Sequence, residues 1–299
     1  MPEITTVAEA CLALLKARGV DVVFGNASTD FAPIIKALAR GETAWLAMPA
    51  PVTVSHEHVA VSLAPGFYLA TGRPQAVMVH VNVGTANARM ALLNAARNRV
   101  RVIFTAGRSP VTEDGLFGAR DLPIHWGQDM RDQAGLGRAA AKWIADLVYP
   151  RQLPTLADRA LAIACSPPPR PVYVTLPREA LAMPIHGFRL GPPGQVAASP
   201  PASDPATVER IADLFVAAKH PLLIAAHYAG GGRSASALAE FAEQFAVPVV
   251  EFWPTRLSLP TTRPLHGGFA FGPGLLKPTS ACCSMPSFPG PGSREGQRP

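Results

Sequence analysis

Short apolar runs alternate with helical patterns along the first 186 residues. Apolar positions recur at helical spacing over residues 5–18, and a short apolar strand is predicted at residues 21–25. The alternation then repeats, with helices predicted at 31–39, 56–70, 84–98 and 154–164 and strands at 45–51, 75–83, 101–106 and 171–176. Strands that alternate with helices of this length predict an α/β fold, a doubly wound parallel sheet covered on both faces.

The pattern changes after residue 186. Residues 187–206 are dense in Pro, Gly and Ala and predict a linker. Residues 207–267 predict a helix, a strand, a Gly-rich loop at 230–232, a second helix and a second strand, which is part of a further α/β domain. Two strands are too few for an independent core. Residues 268–299 have no apolar periodicity and are expected to form an irregular tail. We therefore expect a complete domain at 1–186, then the linker, a truncated domain and the tail.

Composition narrows the class of protein. The 299 residues are 48% hydrophobic and 16% charged, which excludes a coiled coil, a collagen and global disorder. The net charge of +6 comes from arginines spread along the chain, so nucleic-acid binding is not expected. The four cysteines lack a C-x-x-C or metal-ligand spacing, which favours a reduced, cytoplasmic setting. Because every apolar run is shorter than about 20 residues, no membrane segment is expected.

Two turns of the predicted sheet have the composition of anion-binding loops. Residues 25–28 follow the first strand, and residues 84–87 follow a buried strand and open a helix, so that backbone N–H groups could face a polar ligand. Neither contains G-x-G-x-x-G, and G-x-x-x-x-G-K-[ST] does not occur. A nucleotide-binding oxidoreductase is an alternative interpretation of the α/β pattern, which the missing dinucleotide motif argues against.

Residues His56, Glu57 and His58 stand at the start of a predicted helix after an apolar run. The two histidines are two positions apart and point to different sides of a helix, so a metal site is not expected. A carboxylate in an apolar setting suits proton transfer, whereas a helix-capping or exposed Glu is the simpler interpretation. Pattern alone leaves both open.

Three segments of the sequence read VFGNASTDFAPII, then HEHVAVSLAPGFYLATGRPQAVMVHVNVGTANARMALLNAARNRVRVIFTAG, then RPVYVTLPRE. Together they resemble thiamine-diphosphate-dependent enzymes of the acetolactate synthase and benzoylformate decarboxylase superfamily. The resemblance covers residues 4–186, the N-terminal pyrimidine-binding domain, and extends faintly to residue 267. It implies thiamine diphosphate as cofactor, a 2-oxo acid as substrate and decarboxylation or carboligation as reaction.

The resemblance also implies roles for individual residues. Glu57 occupies the place of the Glu that hydrogen-bonds N1′ of the aminopyrimidine, and His80 that of a proton-relaying His of the decarboxylases. Gln128 falls where synthases carry a Gln near the substrate, so His80 and Gln128 indicate different subfamilies. The positions that match the family's cofactor-binding residues are Asn26, Ala27, Ser28, Glu57, Val83, Gly84 and Asn87.

One motif of the resembled family does not occur in this sequence. Those enzymes bind the diphosphate through Mg²⁺ in a third domain with a G-D-G motif, and no G-D-G occurs here. The cofactor lies there between domains of two subunits, so a homo-oligomer or a diphosphate-domain partner is expected. We therefore expect this chain alone to be inactive, with a non-catalytic or partner subunit as the alternative.

Overall fold

The computed structural model describes residues 3–26, 28–226 and 232–270. The chain divides into two compact units, Met1–Ala202 and Ser203–Pro299, and each is described by itself. The expected cofactor contact at Ala27 and the tail beyond residue 270 lie outside the described residues, as does part of the Gly-rich loop.

The first unit is built on a parallel sheet of six strands. These are β1 (Val22–Gly25), β2 (Ala50–Thr53), β3 (Gln75–Val79), β4 (Val102–Arg108), β5 (Ile144–Asp146) and β6 (Val172–Pro177). Their order across the sheet is β2-β1-β3-β4-β6-β5, and every pairing is parallel. The chain leaves β1 towards β2 and later returns to β3 on the other side, which makes the gap between β1 and β3 the switch point of the fold.

Helices cover both faces of this sheet. They are α1 (Val7–Ala17), α2 (Ala32–Ala44), α3 (Glu57–Thr71), α4 (Val81–Arg97), α5 (Gly135–Arg138), α6 (Leu153–Cys165) and α7 (Arg178–Ala182). One core cluster joins α1, α2, α6 and α7 to alternate strand residues such as Ala76 and Met78. The other joins α3 and α4 to the intervening residues, such as Val77 and Val79. Because side chains alternate across a strand, β3 supplies both cores, and the predicted doubly wound α/β fold is confirmed.

Helix α3 begins and ends on local signals. The ring of His56 accepts a hydrogen bond from the backbone N–H of His58 and caps the N-terminus. Gly72 ends the helix at φ 75°, a left-handed conformation that a residue without Cβ adopts at low cost. Pro65 lies inside the helix, which nevertheless runs continuously from Glu57 to Thr71.

In the first unit, two predicted strands were placed wrongly, and the short elements α5, β5 and α7 were not predicted. The strand expected at 75–83 stops at Val79, and residues 81–83 form the first turn of α4. The strand expected at 45–51 lies at Ala50–Thr53, because Trp45 ends α2 at φ 55°. Strand β5 was missed since three residues are too short for a periodic signal.

Part of the predicted linker is attached to the first unit by hydrogen bonds to Arg18, Asp158 and Ser166, of which Arg18 and Asp158 form an ion pair. Arg18 Nε donates to Asp158 Oδ1 at 2.8 Å, and the backbone N–H of Gly194 donates to Asp158 Oδ2 at 2.7 Å. Arg18 also donates to the carbonyl oxygen of Gly191, and Ala198 N–H donates to Ser166 Oγ. Residues 191–198 therefore pack with α1 and α6.

The second unit holds α8 (Pro205–Ala217), β7 (Leu223–Ala225), α9 (Gly232–Phe245), β8 (Val249–Phe252) and β9 (His266–Ala270). The strands form a parallel sheet in the order β7-β8-β9. The expectation of two strands was wrong: β9 is a third, and its Gly267 and Gly268 weakened the strand signal. Leu238, Ala242 and Leu259 contribute to its small core.

Within the described ranges, none of the helices of either unit is both long enough and apolar enough to cross a bilayer.

Candidate active site

The candidate site lies at the carboxyl ends of β1 and β3. The loop after β1 carries Ser28 and Asp30, and His80 follows β3 directly and caps α4. Glu57 opens α3, which packs along α4 on one face of the sheet. Ligands of doubly wound sheets bind outside the carboxyl ends of the strands at the switch point, and these side chains occupy that place.

His80 is held by an acid and a hydroxyl at one ring nitrogen. Its Nδ1 lies 2.7 Å from Asp30 Oδ2 and 2.6 Å from Ser28 Oγ. The Ser28 hydroxyl also lies 3.1 Å from Asp30 Oδ2. A carboxylate only accepts hydrogen bonds, so Nδ1 carries a proton, and Nε2 is an acceptor in the form of the ring that has one proton. No partner for Nε2 is found among the residues that the structure describes.

This arrangement differs from a Ser-His-Asp hydrolase triad. In a triad, the acid binds one ring nitrogen and the serine the other, so that the ring carries a proton between them. Here Ser28 and Asp30 share Nδ1, and the opposite nitrogen is left for a ligand. The cluster therefore suits proton exchange with a bound molecule rather than activation of Ser28.

Asp30 was missed by the sequence reasoning. It is 2% exposed and sits in a single turn of 3-10 helix, residues 29–31, that Ser28 caps. A Cβ on Gly107 of β4 would lie 2.6 Å from Asp30 Oδ2, so the carboxylate fits only because residue 107 is glycine. The only sequence signal for Asp30 was its position two residues after a serine in a loop. The contact between Asp30 and Gly107 of β4 is seen only in the folded structure.

Glu57 is buried and accepts a side-chain hydrogen bond from Asn87. The residue is 7% exposed, and its Oε2 accepts a hydrogen bond from Asn87 Nδ2 at 3.2 Å. His56 Nδ1 lies 3.9 Å from the same oxygen, on a largely exposed ring. The carboxylate is therefore largely shielded from water, and its Oε1 has no hydrogen-bond partner among the described residues.

Gly84 lets the backbone of α4 pack closely against Glu57 and His80. A Cβ there would lie 3.3 Å from Glu57 Oε1, 3.4 Å from His80 Cβ and 3.2 Å from Val79 Cβ. These distances are tighter than ordinary van der Waals contacts, so even a methyl group would crowd the site. The structure thus brings together Glu57, His80, Gly84 and Asn87 as the sequence analysis expected of a single site.

The remaining candidate residues lie around this centre. The backbone N–H of Asn26 donates to the Met78 carbonyl oxygen at 3.3 Å, which joins the β1 loop to β3. Val83 is 56% exposed on the first turn of α4. The carbonyl oxygen of Gln128 accepts from Asn82 Nδ2 at 2.9 Å, two residues after His80. Gln128 Oε1 is buried without a partner among the described residues.

A buried polar network braces the start of α4. Tyr173 OH lies 2.8 Å from Thr85 Oγ1 and accepts from Gln133 Nε2 at 3.0 Å. Gln133 also donates to the Gly107 carbonyl oxygen. Burial raises the pKa of Tyr173, while its hydrogen bonds with Thr85 and Gln133 act in the opposite direction. The neutral phenol therefore connects β4 and β6 to the helix that carries Gly84 and Asn87.

Across residues 3–26, 28–226 and 232–270, no group of three or more His, Cys, Asp or Glu side chains is arranged to hold a metal ion.

Comparison with protein families gives one match. Residues 5–136 match the family of the thiamine pyrophosphate enzyme, N-terminal TPP binding domain. This match confirms the resemblance inferred from the sequence.

Curated relatives agree with that match. The chain is 28% identical to benzoylformate decarboxylase of Pseudomonas aeruginosa over 81% of its own length and 43% of that protein's. It is 29% identical to a second protein of that organism, named a probable 2-ketoarginine decarboxylase, over 88% of this chain and 44% of that protein. It is 25% identical to the mitochondrial acetolactate synthase catalytic subunit of Saccharomyces cerevisiae, over 56% of this chain and 23% of that protein. The chain therefore spans less than half the length of these relatives.

Solved structures share the fold. Benzoylformate decarboxylase from Polynucleobacter necessarius superposes with a TM-score of 0.70 at 25% identity, over 89% of this chain and 47% of that one. A thiamine diphosphate-dependent 4-hydroxybenzoylformate decarboxylase of Rhodococcus jostii superposes with a TM-score of 0.69 at 24% identity, over 89% of this chain and 47% of that one. At this identity the likeness shows the fold alone.

Proposed function

We propose that this chain, whose residues 5–136 match the TPP binding domain of thiamine pyrophosphate enzymes, supplies the pyrimidine-binding half of a site for 2-oxo acid decarboxylation or carboligation. One observation carries the proposal: buried Glu57, held by Asn87, lies against the Cβ-free backbone of Gly84, next to His80. An aminopyrimidine ring can hydrogen-bond to a carboxylate oxygen that is shielded from water, and it can pack closely on backbone that has no Cβ.

The residues present fit this cofactor. Those that would hold it are Asn26, Ala27, Ser28, Glu57, Val83, Gly84 and Asn87, with Ala27 outside the described residues. When bound, thiamine diphosphate supplies the carbon nucleophile for a 2-oxo acid and the ring that accepts electrons as carbon dioxide leaves. The protein supplies orientation and proton transfer.

Glu57 and His80 have separate parts in that proton transfer. Glu57 holds and moves a proton at Oε1, because Asn87 already donates to Oε2. His80 exchanges a proton at Nε2, because Asp30 and Ser28 occupy Nδ1. Asp30 positions the ring and selects its tautomer, as an acid partner of a histidine does in other sites. Two groups on separate elements can thus act on the cofactor and on the substrate.

Decarboxylation is the favoured reaction. His80, with Asp30 behind it, is a proton-exchange group: its Nε2 would take up a proton and deliver it to the substrate carbon that loses carbon dioxide. The two relatives of P. aeruginosa are both named as decarboxylases. Gln128 is proposed to contact the substrate, because its side-chain Oε1 is buried without a partner among the described residues and its carbonyl oxygen accepts a hydrogen bond from Asn82.

We further propose that another domain, from a longer form of this chain or a partner, holds the diphosphate and Mg²⁺. The resemblance assigns that binding to a G-D-G motif, and the 299 residues contain none. The chain alone is then expected to be inactive and to gain activity on mixing with a diphosphate-binding domain. Turnover by the purified chain with thiamine diphosphate and Mg²⁺ would contradict this part.

The pyrimidine site itself is tested on the chain as it exists. We would titrate 4-amino-5-hydroxymethyl-2-methylpyrimidine and follow it by saturation-transfer NMR. Wild type is expected to bind, and Glu57→Ala to weaken binding by about tenfold, the effect of one charge-assisted hydrogen bond. Glu42→Ala, which changes an exposed Glu on α2, is the matched control. Equal affinity of wild type and Glu57→Ala would refute the assignment.

A further inference from the structure

The rim of the same site carries two arginines that the proposed proton transfers do not use. Arg120 lies on the loop that follows β4, and Arg178 opens α7 directly after β6. Arg120 donates from Nη1 to Thr29 Oγ1 at 3.1 Å and from Nη2 to the Thr29 carbonyl oxygen at 3.4 Å. Thr29 immediately precedes Asp30, the partner of His80, so this guanidinium reaches the loop that forms the site.

The loop is seated on the residues beside Arg178. Glu179 Oε1 accepts hydrogen bonds from the backbone N–H groups of Val111 at 2.6 Å and Thr112 at 2.9 Å. At the other end of the loop, a Cβ on Gly118 would lie 3.2 Å from Glu179 Cα, so only glycine allows this close approach. Both attachments place the loop that carries Arg120 against the start of α7, where Arg178 lies.

The charges of the two guanidiniums are incompletely matched. Burial lowers the pKa of Arg178 and the neighbouring charge of Arg120 lowers it further, while Asp30 and Glu179 act in the opposite direction. Asp30 is already bound by His80, and Glu179 by the loop amides. Neither arginine forms an ion pair with a carboxylate in the part of the chain that the structure describes.

We propose that Arg120 and Arg178 together bind an anionic group of the substrate, which makes the preferred substrate a 2-oxo acid with a second acidic group. This inference rests on the proposed function for the position of the 2-oxo end beside His80. Planar guanidinium groups pair with a carboxylate through two parallel hydrogen bonds, and two of them give the site both charge and direction. An uncharged or cationic side chain would leave the repulsion between the arginines in place.

The test compares two acids of equal chain length on the full chain without cofactor. We would titrate 2-oxoglutarate and 2-oxopentanoate by isothermal calorimetry at low ionic strength, where charge contacts are least screened. We expect 2-oxoglutarate to bind more tightly by about tenfold or more, the effect of charge-assisted hydrogen bonds to its second carboxylate. Arg120→Met and Arg178→Met should each bring the ratio towards one, and Arg178→Lys should retain part of it.

Arg138→Met is the matched control, because Arg138 is an exposed arginine paired with Asp132 and should leave the ratio unchanged. Equal binding of the two acids by wild type, a ratio that survives both Met variants, or its loss in Arg138→Met would each overturn the inference. Because the titration contains no cofactor, its outcome does not depend on the outcome of the pyrimidine test. An intact ratio without pyrimidine binding would refute only the proposed function.

Discussion

Oδ2 of Asp30 lies 2.7 Å from Nδ1 of His80, and the acid is buried against Gly107 of a neighbouring strand. The contact defines which ring nitrogen is protonated, because a carboxylate can only accept. The consequence for function is that Nε2, the nitrogen without a partner among the described residues, is the atom available for proton exchange.

Asp30→Asn is therefore expected to change the tautomer of His80. An Asn side chain can donate to Nδ1, which would move the proton of the neutral ring to Nε2. Nitrogen-15 NMR of the histidine rings should show His80 protonated at Nδ1 in wild type and at Nε2 in the variant. Asp132→Asn, at an exposed acid paired with Arg138, should leave His80 unchanged. An unaltered tautomer in Asp30→Asn would mean that Asp30 does not set it.

Gly84→Ala is expected to block cofactor binding while the fold is retained. The new Cβ would lie 3.3 Å from Glu57 Oε1 and 3.4 Å from His80 Cβ, so it would press on both proposed proton-transfer residues. We expect pyrimidine binding to weaken by about tenfold or more, measured by the same NMR titration, because a core-like site has little room for an added methyl group.

Gly66→Ala is the control for Gly84→Ala, since Gly66 is also helical but a Cβ added there would meet no atom within 4 Å. Ala in place of Gly within a helix should stabilise the protein by about 0.5–1 kcal/mol and leave binding unchanged. If Gly84→Ala bound the pyrimidine as tightly as wild type does, Gly84 would not lie at the pyrimidine site.

The parts of the site that could be predicted from sequence are those that lie at strand ends. His80 and Gly84 follow a buried strand and Glu57 opens a periodic helix, so local pattern and resemblance together identify them. Asp30 and Arg178 could not be found in this way. Asp30 depends on a glycine 77 positions later in the chain, and Arg178 on a loop held by its neighbour Glu179.

The fold shows the same division between local and non-local information. Long helices and buried strands carry their period in the sequence, and their existence was predicted correctly at α1, α6 and β6. Strand β5 has three residues and β9 contains two glycines, so both depend on pairing with β6 and β8 rather than on propensity.

Glu57→Gln tests the role of the carboxylate in proton transfer rather than in binding. A glutamine keeps the size and a hydrogen-bonding oxygen but cannot exchange a proton. In an assembly with a diphosphate-binding domain, hydrogen–deuterium exchange at C2 of thiamine diphosphate should slow by about 10²-fold or more, the usual size of an acid–base contribution. Exchange is followed by quenched-flow NMR, and Glu42→Gln should behave as wild type. An unchanged rate in Glu57→Gln would contradict the assignment.

The Arg18–Asp158 ion pair is expected to make stability depend on pH in the acid range. Burial acts to raise the pKa of Asp158, but the hydrogen bonds from Arg18 and Gly194 lower it overall below its ordinary value of 3.8. A pKa that is lower in the folded state means that the contribution is complete above pH 3.8 and is lost as the pH falls through the folded value.

Asp158→Asn should remove that acid-range loss and cost about 3 kcal/mol at neutral pH, because it leaves Arg18 buried without its counter-charge. Urea unfolding at pH 7 and at pH 3, followed by circular dichroism, measures both effects. Asp132→Asn, at an exposed pair, should change stability by less than about 1 kcal/mol. If Asp158→Asn lost as much stability between pH 7 and pH 3 as wild type does, the acid sensitivity would arise from other carboxylates, such as Glu9 beside Arg40.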